Sequence, residues 1–267
     1  MVVGQHIGRL GNNLFQIAAA IGYARKFGYK WAVDPGIGMG PPYSAIHKVF
    51  PNLPKTDLVY RRKYHEHPNA YCSLHNCHYD ICHFDYHPFR DDGANITLFG
   101  FWQSYRYFEE VEEEVKKVFA LDFISGYEDF TSVHVRRGDY VQHSGSFPPV
   151  TVDYVRKGVE ALGSDKILVF SDDIAWCIEN LVELPSGLIE FCDERDERRS
   201  LSLMASCGNH IIANSSFSWW GAYLGHNPDK KVVAPHCKRG SWFGINSGVK
   251  KDAVDLLPPS WIQIERI

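Results

Sequence analysis

From Phe130 onward the sequence alternates short apolar runs with helical stretches, a pattern that few folds can absorb. "FTSVHVRR" (130–137), "KILVFSDD" (166–173), "LIEFCD" (188–193), "HIIANSS" (210–216) and "KKVVAPH" (230–236) read as strands. "TVDYVRKGVEALG" (151–163), "IAWCIENL" (174–181), "ERRSLSLMASC" (197–207) and "SFSWWGAYLG" (216–225) read as helices between and after them. "KILVF" is continuously apolar, as expected of a strand covered on both faces in a parallel sheet. Strands and helices in alternation predict a doubly wound α/β fold.

A second α/β region opens the chain. "MVVGQHIGRLGNNLFQIAAAIGYARKFGY" reads as strand, glycine loop and helix, and "WAVDP" as the next strand closed by proline. "NITLFGFWQ" (95–103) reads as a strand. "YFEEVEEEVKKVFAL" (107–121) reads as an amphipathic helix with acids early and lysines late, as the helix dipole favours. Between Gly36 and Asp92 periodicity is weak, which predicts irregular loops with short elements. The boundary falls near residues 122–128. Residues 1–125 form the expected N-terminal α/β domain and 126–267 the expected C-terminal Rossmann-like domain.

In open α/β sheets ligands sit beyond the carboxyl ends of the strands. Three polar clusters occupy such ends, "HVRRGD", "FSDD" and "NSSFS", and they are expected to converge on one crevice. The two arginines are forked, permanent cations suited to a phosphate, though a surface turn holding an arginine–aspartate pair has the same composition. Gly138 would let the chain turn behind them, and Asp139 could orient an arginine or take a proton. Ser215 and Ser216 lie where a strand gives way to a helix. There free N–H groups and two hydroxyls make an anion cradle, or a serine simply caps the helix. Asp173 suits a helix cap, which leaves Asp172 as the ligand candidate. Trp219 and Trp220 suit the core, and Phe217 fits either role. The loop "GRLGNN" (8–13) offers Arg9 and Asn12 but lacks dinucleotide-loop spacing. No Asp-x-Asp triplet occurs in the sequence, so fixed arginine charge and backbone dipoles would have to neutralise a diphosphate.

A net charge of −4 with no long basic run argues against nucleic acid as a partner. No stretch resembles a signal peptide or a membrane span, which predicts a cytoplasmic location with peripheral membrane association left open. Cys177, Cys192, Cys207 and Cys237 stand singly, as buried reduced cysteines do. "YCSLHNCHYDICHFDYH" gathers Cys72, His75, Cys77, His78, Cys82, His83 and His87. That density suits zinc, but the C-x₂-C spacing is absent. The plainer expectation is a tyrosine- and histidine-rich packing loop, with zinc or a disulfide as alternatives.

"GRLGNNLFQIAA", "GFWQSYRYF", "HVRRGDY", "VFSDD" and "LMASCGNHIIANSSFSWWGAYL", in this order, resemble the α-1,2-fucosyltransferases of glycosyltransferase family 11. The resemblance implies a GT-B-like fold of two Rossmann-like domains facing a crevice, with residues 126–267 binding GDP-fucose and residues 1–125 on the acceptor side, where the tyrosine- and histidine-rich loop would pack over the acceptor groove. It implies inverting transfer of L-fucose from GDP-fucose to the 2-hydroxyl of a terminal galactose on a glycan, without an obligatory metal or other cofactor. By analogy with related fucosyltransferases, Arg136 would bind the β-phosphate and stabilise departing GDP. His134 and Asp172 would read guanine. Ser215, Ser216 and the N–H of Phe217 would hold the diphosphate, and Arg9 and Asn12 would reach the phosphate or fucose. Asp139 is the candidate base for the acceptor hydroxyl, or else it orients Arg137. Other readings are α-1,6- or protein O-linked fucosyl transfer, and a GDP-sugar-binding module without turnover.

Overall fold

The structure is a computed structural model that describes residues 1–4, 8–34, 46–56, 62–66, 86–247 and 252–266. The chain divides into two compact units. One comprises Met1–Ala120 with Val254–Leu256, the other Leu121–Ala253 with Leu257–Ile267.

The first unit is built on four parallel strands: β1 (Val2–Gly4), β2 (Trp31–Val33), β3 (Arg62–His65) and β4 (Ile96–Phe99), in the order β2-β1-β4-β3. Helix α1 (Leu10–Phe27) follows β1 and is buried along almost all of its sides from Leu10 to Ala24, as an alanine-rich core helix should be. It ends on Gly28 at φ +73°, the left-handed cap glycine adopts readily. α2 (Ile46–Val49) is a single turn. The helix expected from Tyr107 begins only at Glu112. Phe108 (φ −140°) and Val111 (φ −127°) leave helical geometry, so two 3-10 turns precede α3 (Glu112–Val118). The carbonyl of Tyr107 lies against Gly22 of α1, where no Cβ would fit, so packing shapes this segment more than its charge pattern does.

The second unit carries six parallel strands: β5 (Thr131–Val135), β6 (Lys166–Ser171), β7 (Leu188–Cys192), β8 (Asn209–Ile211), β9 (Val232–Pro235) and β10 (Ile262–Ile264). Their order is β10-β9-β8-β5-β6-β7. Counted within the unit this is 3-2-1-4-5-6, the doubly wound dinucleotide-binding topology. α4 (Gly138–Gln142) and α5 (Val152–Leu162) follow β5. α6 (Ile174–Leu181) follows β6, α7 (Glu197–Ser206) follows β7, and α8 (Ser216–Tyr223) follows β8. Alternate residues of β6 serve the two faces. Ile167 and Val169 pack with Tyr154, Val159, Cys177 and Leu181, while Leu168 and Phe170 pack with Leu203, Met204 and Cys207. Thr151 and Gly163 cap α5 as expected, and Asp173 caps α6. Cys177, Cys207 and Cys237 are buried, Cys192 is half-buried, and all four are free thiols. Strand β10 and the turn α4 were not anticipated. No described helix is long and apolar enough to cross a membrane.

Candidate active site

The strand order of the second unit reverses between β5 and β8, so the crevice of this sheet opens at their carboxyl ends. All three polar clusters emerge there. Arg136 leaves β5 with its guanidinium clamped by two carboxylates. Nη1 lies 2.7 Å from Oδ2 of Asp172 at the end of β6, and Nη2 donates to Oδ1 of Asp139 on α4. Arg137 points elsewhere. Its Nε donates to Asp173 at 3.0 Å, and its guanidinium stacks 3.9 Å from the Trp176 ring centroid. Asp139 therefore orients Arg136. The backbone N–H of Arg137 donates to the other oxygen of Asp172 at 2.8 Å, so one carboxylate fixes both the main chain and Arg136. Gly138 is not in the left-handed region. It is needed because a Cβ there would run into the Asp172 carboxylate.

His134, the penultimate residue of β5, is buried. Desolvation pushes its pKa down to about 4, with the Asp172 charge opposing and Arg136 assisting, so the ring is neutral at pH 7. Its Nδ1 has no hydrogen-bond partner among the described residues, and its ring centroid lies 5.9 Å from that of Phe217. A neutral imidazole with an unpaired nitrogen can exchange hydrogen bonds with a base edge.

Across the switch point, Ser215 is the residue before α8, in extended geometry (φ −135°, ψ 127°), and its hydroxyl does not cap the helix. Its carbonyl takes the N–H of Trp219 at 3.0 Å, a backbone bond that closes the first turn of α8. Ser216 and Phe217 form the first turn of α8 and are half-buried. Asn214 is anchored by Nδ2 donating to the carbonyls of Pro148 (3.0 Å) and Trp242 (2.9 Å). The Tyr140 hydroxyl donates to the Asn214 carbonyl at 3.1 Å, and the Arg136 guanidinium lies 5.5 Å from the same tyrosine's ring centroid. Tyr140 thus ties the β5 exit to the β8 exit, a role its place in "HVRRGDY" does not reveal. Trp219 and Trp220 are fully buried core residues. The arrangement is a cation, two hydroxyls and a helix N-terminus beside a buried neutral histidine, which suits an anion attached to a heterocycle.

In the first unit, Gly8 (φ +84°) leads into α1, Arg9 is the exposed residue preceding that helix, and Asn13 ties the loop by donating to the Arg9 carbonyl at 2.9 Å. Asn12 Oδ1 accepts from Gln103 Nε2 at 2.7 Å, joining the β1 and β4 exits. Glu66, just past β3, carries a carboxylate whose pKa burial raises to about 7 against two backbone hydrogen bonds. It was not a candidate from sequence, because it lies in the stretch without periodicity. The cysteine–histidine cluster falls in residues 67–85, outside the described residues, except for His87. No group of three metal-binding side chains occurs among the described residues.

The sequence model of Glycosyl transferase family 11 matches residues 70–256. The chain belongs to this family. Among its relatives, an alpha-1,2-colitosyltransferase of Escherichia coli is 31% identical over 192 residues, covering 65% of this chain and 64% of its own length. The O-antigen biosynthesis glycosyltransferase WbnK of E. coli is 37% identical over 142 residues, 50% of this chain and 44% of WbnK. The match therefore spans less than two thirds of either bacterial relative. Human galactoside alpha-(1,2)-fucosyltransferase 1 is 25% identical over 290 residues, 90% of this chain and 73% of that enzyme. Among solved structures, NodZ alpha-1,6-fucosyltransferase with GDP superposes with a TM-score of 0.48 at 14% identity, over 82% of this chain and 90% of that one.

Proposed function

We propose that this chain is a GT-B-type enzyme that transfers L-fucose from GDP-fucose, with inversion and without an obligatory metal, to the 2-hydroxyl of a terminal galactose. The observation that carries this reading is the double clamp on Arg136 at the β5 exit, facing the α8 N-terminus, in a family 11 chain. Departing GDP gathers negative charge on its β-phosphate. A guanidinium held by Asp139 and Asp172 needs no reorganisation to meet that charge, and one such preorganised donor is worth roughly 10²–10³-fold in rate. The hydroxyls of Ser215 and Ser216 and the N–H of Phe217 hold the diphosphate. His134 reads guanine through its unpaired nitrogen. Asp172 has both oxygens engaged by residues 136 and 137, which makes it the arginine anchor first and a guanine contact only through its remaining lone pairs.

A second donor is favoured by the colitosyltransferase among the relatives. Colitose is fucose without its 3-hydroxyl, so the two donors differ at one polar group. The test is GDP release from GDP-fucose and GDP-colitose, with EDTA present, against a panel of β-galactosides, with product mass read in parallel. Acceptor-dependent release and a fucosylated galactoside are expected. GDP binding without transfer to any acceptor would mean a binding module, and no affinity for any GDP-sugar would overturn the reading.

A further inference from the structure

The Arg136 guanidinium has an apolar neighbour as well as two carboxylates. Its central carbon lies 5.5 Å from the ring centroid of Tyr140. That ring stacks on Phe147, with centroids 5.3 Å apart at 26°, and Phe147 meets Phe243 edge-on, with centroids 6.3 Å apart at 69°. The three rings form a row that starts at the guanidinium. Each residue is half-buried, so part of its surface stays open. Phe217, another half-buried aromatic of the site, lies against His134 instead. Every residue of the row, and every residue that supports it, belongs to the second unit.

The backbone around the row fixes it in place. Asn214 Nδ2 donates to the carbonyls of Pro148 and Trp242, the chain neighbours of Phe147 and Phe243. The N–H of Gly244 donates to the Ser146 carbonyl at 2.9 Å, and that of Asn246 to the Gly145 carbonyl at 3.0 Å. A Cβ on Gly244 would collide with the Gly145 carbonyl, so the two loops meet backbone to backbone. Ser146 Oγ donates to the Asn246 carbonyl at 3.1 Å. The polar groups that flank the two phenylalanines are engaged with one another, and the surface offered between them is carbon.

We propose that Phe147 and Phe243 receive the C5 methyl group of the donor sugar and so select 6-deoxy donors. This rests on the donor reading above. The sugar is bonded through C1 to the β-phosphate that Arg136 meets, which puts its ring beside the near end of the row. Fucose and colitose differ at C3 but share a methyl group on C5, where L-galactose carries a hydroxymethyl. Covering that methyl with aromatic surface is favourable. A hydroxyl in the same place would lose its water and find the neighbouring polar groups taken, which disfavours it.

The experiment is calorimetric titration with GDP, GDP-fucose and GDP-β-L-galactose, which differs from GDP-fucose by one hydroxyl on C6. Wild type, Phe147→Ser, Phe243→Ser and the two leucine variants at the same positions are compared. Wild type should bind GDP-fucose at least tenfold more tightly than GDP-β-L-galactose, within the roughly 100-fold that an apolar pocket can achieve against an added hydroxyl. Each serine variant should bring the two affinities within threefold of each other while its affinity for GDP stays at the wild-type value. Each leucine variant should keep the preference. Equal affinities of wild type for the two sugars overturn the proposal without recourse to any variant. So does a tenfold preference that survives both serine substitutions, or a loss of GDP affinity as large as the loss for GDP-fucose, which would place the row beneath the nucleotide. Absence of binding to any GDP-sugar fails the donor reading itself and takes this proposal with it.

Discussion

Nη1 of Arg136 lies 2.7 Å from Oδ2 of Asp172, while Oδ1 of the same carboxylate takes the backbone N–H of Arg137 at 2.8 Å. A single side chain at the end of β6 therefore sets both the direction of the chain leaving β5 and the direction of the guanidinium it presents. The neighbouring arginine is sequestered by Asp173 and Trp176. Two adjacent residues of the same type have different work because the sheet gives them different neighbours.

Arg136→Ala is expected to abolish measurable GDP binding. Arg136→Lys keeps the charge but loses the fork that spans Asp139 and Asp172, and should lower kcat about 100-fold or more. Arg137→Lys should instead lower the melting temperature, through the lost Asp173 and Trp176 contacts, with a smaller effect on kcat. Calorimetric GDP titration, steady-state rates and thermal melts on the three variants separate the roles. Equal kinetic damage from both lysine variants would contradict the division of labour.

Gly138→Ala would drive a methyl group into the Asp172 carboxylate. The carboxylate must move, and both of its bonds to residues 136 and 137 go with it. We expect kcat/KM to fall at least tenfold with the protein still folded, since α4 is an exposed single turn. Activity near wild type would mean that the Asp172 clamp is dispensable.

The six-stranded sheet was legible because its strands announce themselves. "KILVF" is apolar without interruption, and Thr151, Asp173 and Gly163 are helix punctuation with a local cause. Strand β10 was not, because "IQI" is three residues at a sheet edge, and only its pairing with Val233–Pro235 makes it a strand. The polar clusters at the β5, β6 and β8 exits could be read as one site, since topology alone brings them together. Which aspartate holds which arginine could not, because that depends on side-chain reach across strands. Glu66 gave no signal at all. Its character comes from the N–H groups of Phe101 and Trp102, thirty-five and thirty-six residues away in the chain.

Stability should decline as pH falls from about 6.5. Burial lowers the pKa of His134 to about 4 and that of His210 to about 3, so the unfolded chain takes up protons that the folded chain refuses. At pH 5 each such histidine costs about 2 kcal/mol. His210 hydrogen-bonds Ser132 Oγ through Nδ1 at 2.7 Å, a contact an asparagine amide can imitate. His210→Asn should therefore melt lower than wild type at pH 7 but lose less between pH 7 and pH 5. Parallel melting curves over that interval would show that His210 is not the titrating group.

Glu66 carries the opposite sign. Its folded pKa of about 7 lies above the ordinary carboxylate value of 4.5. Between those values the folded chain holds a proton that the unfolded chain has released, so the contribution is fully present below pH 4.5 and lost as pH rises through 7. Glutamine at this position carries no such dependence. The melting temperature of Glu66→Gln relative to wild type should therefore climb from pH 4.5 to pH 7 and level off above it. A difference that stays flat from pH 4.5 to pH 8 would mean that Glu66 ionises in the folded chain as it does in water.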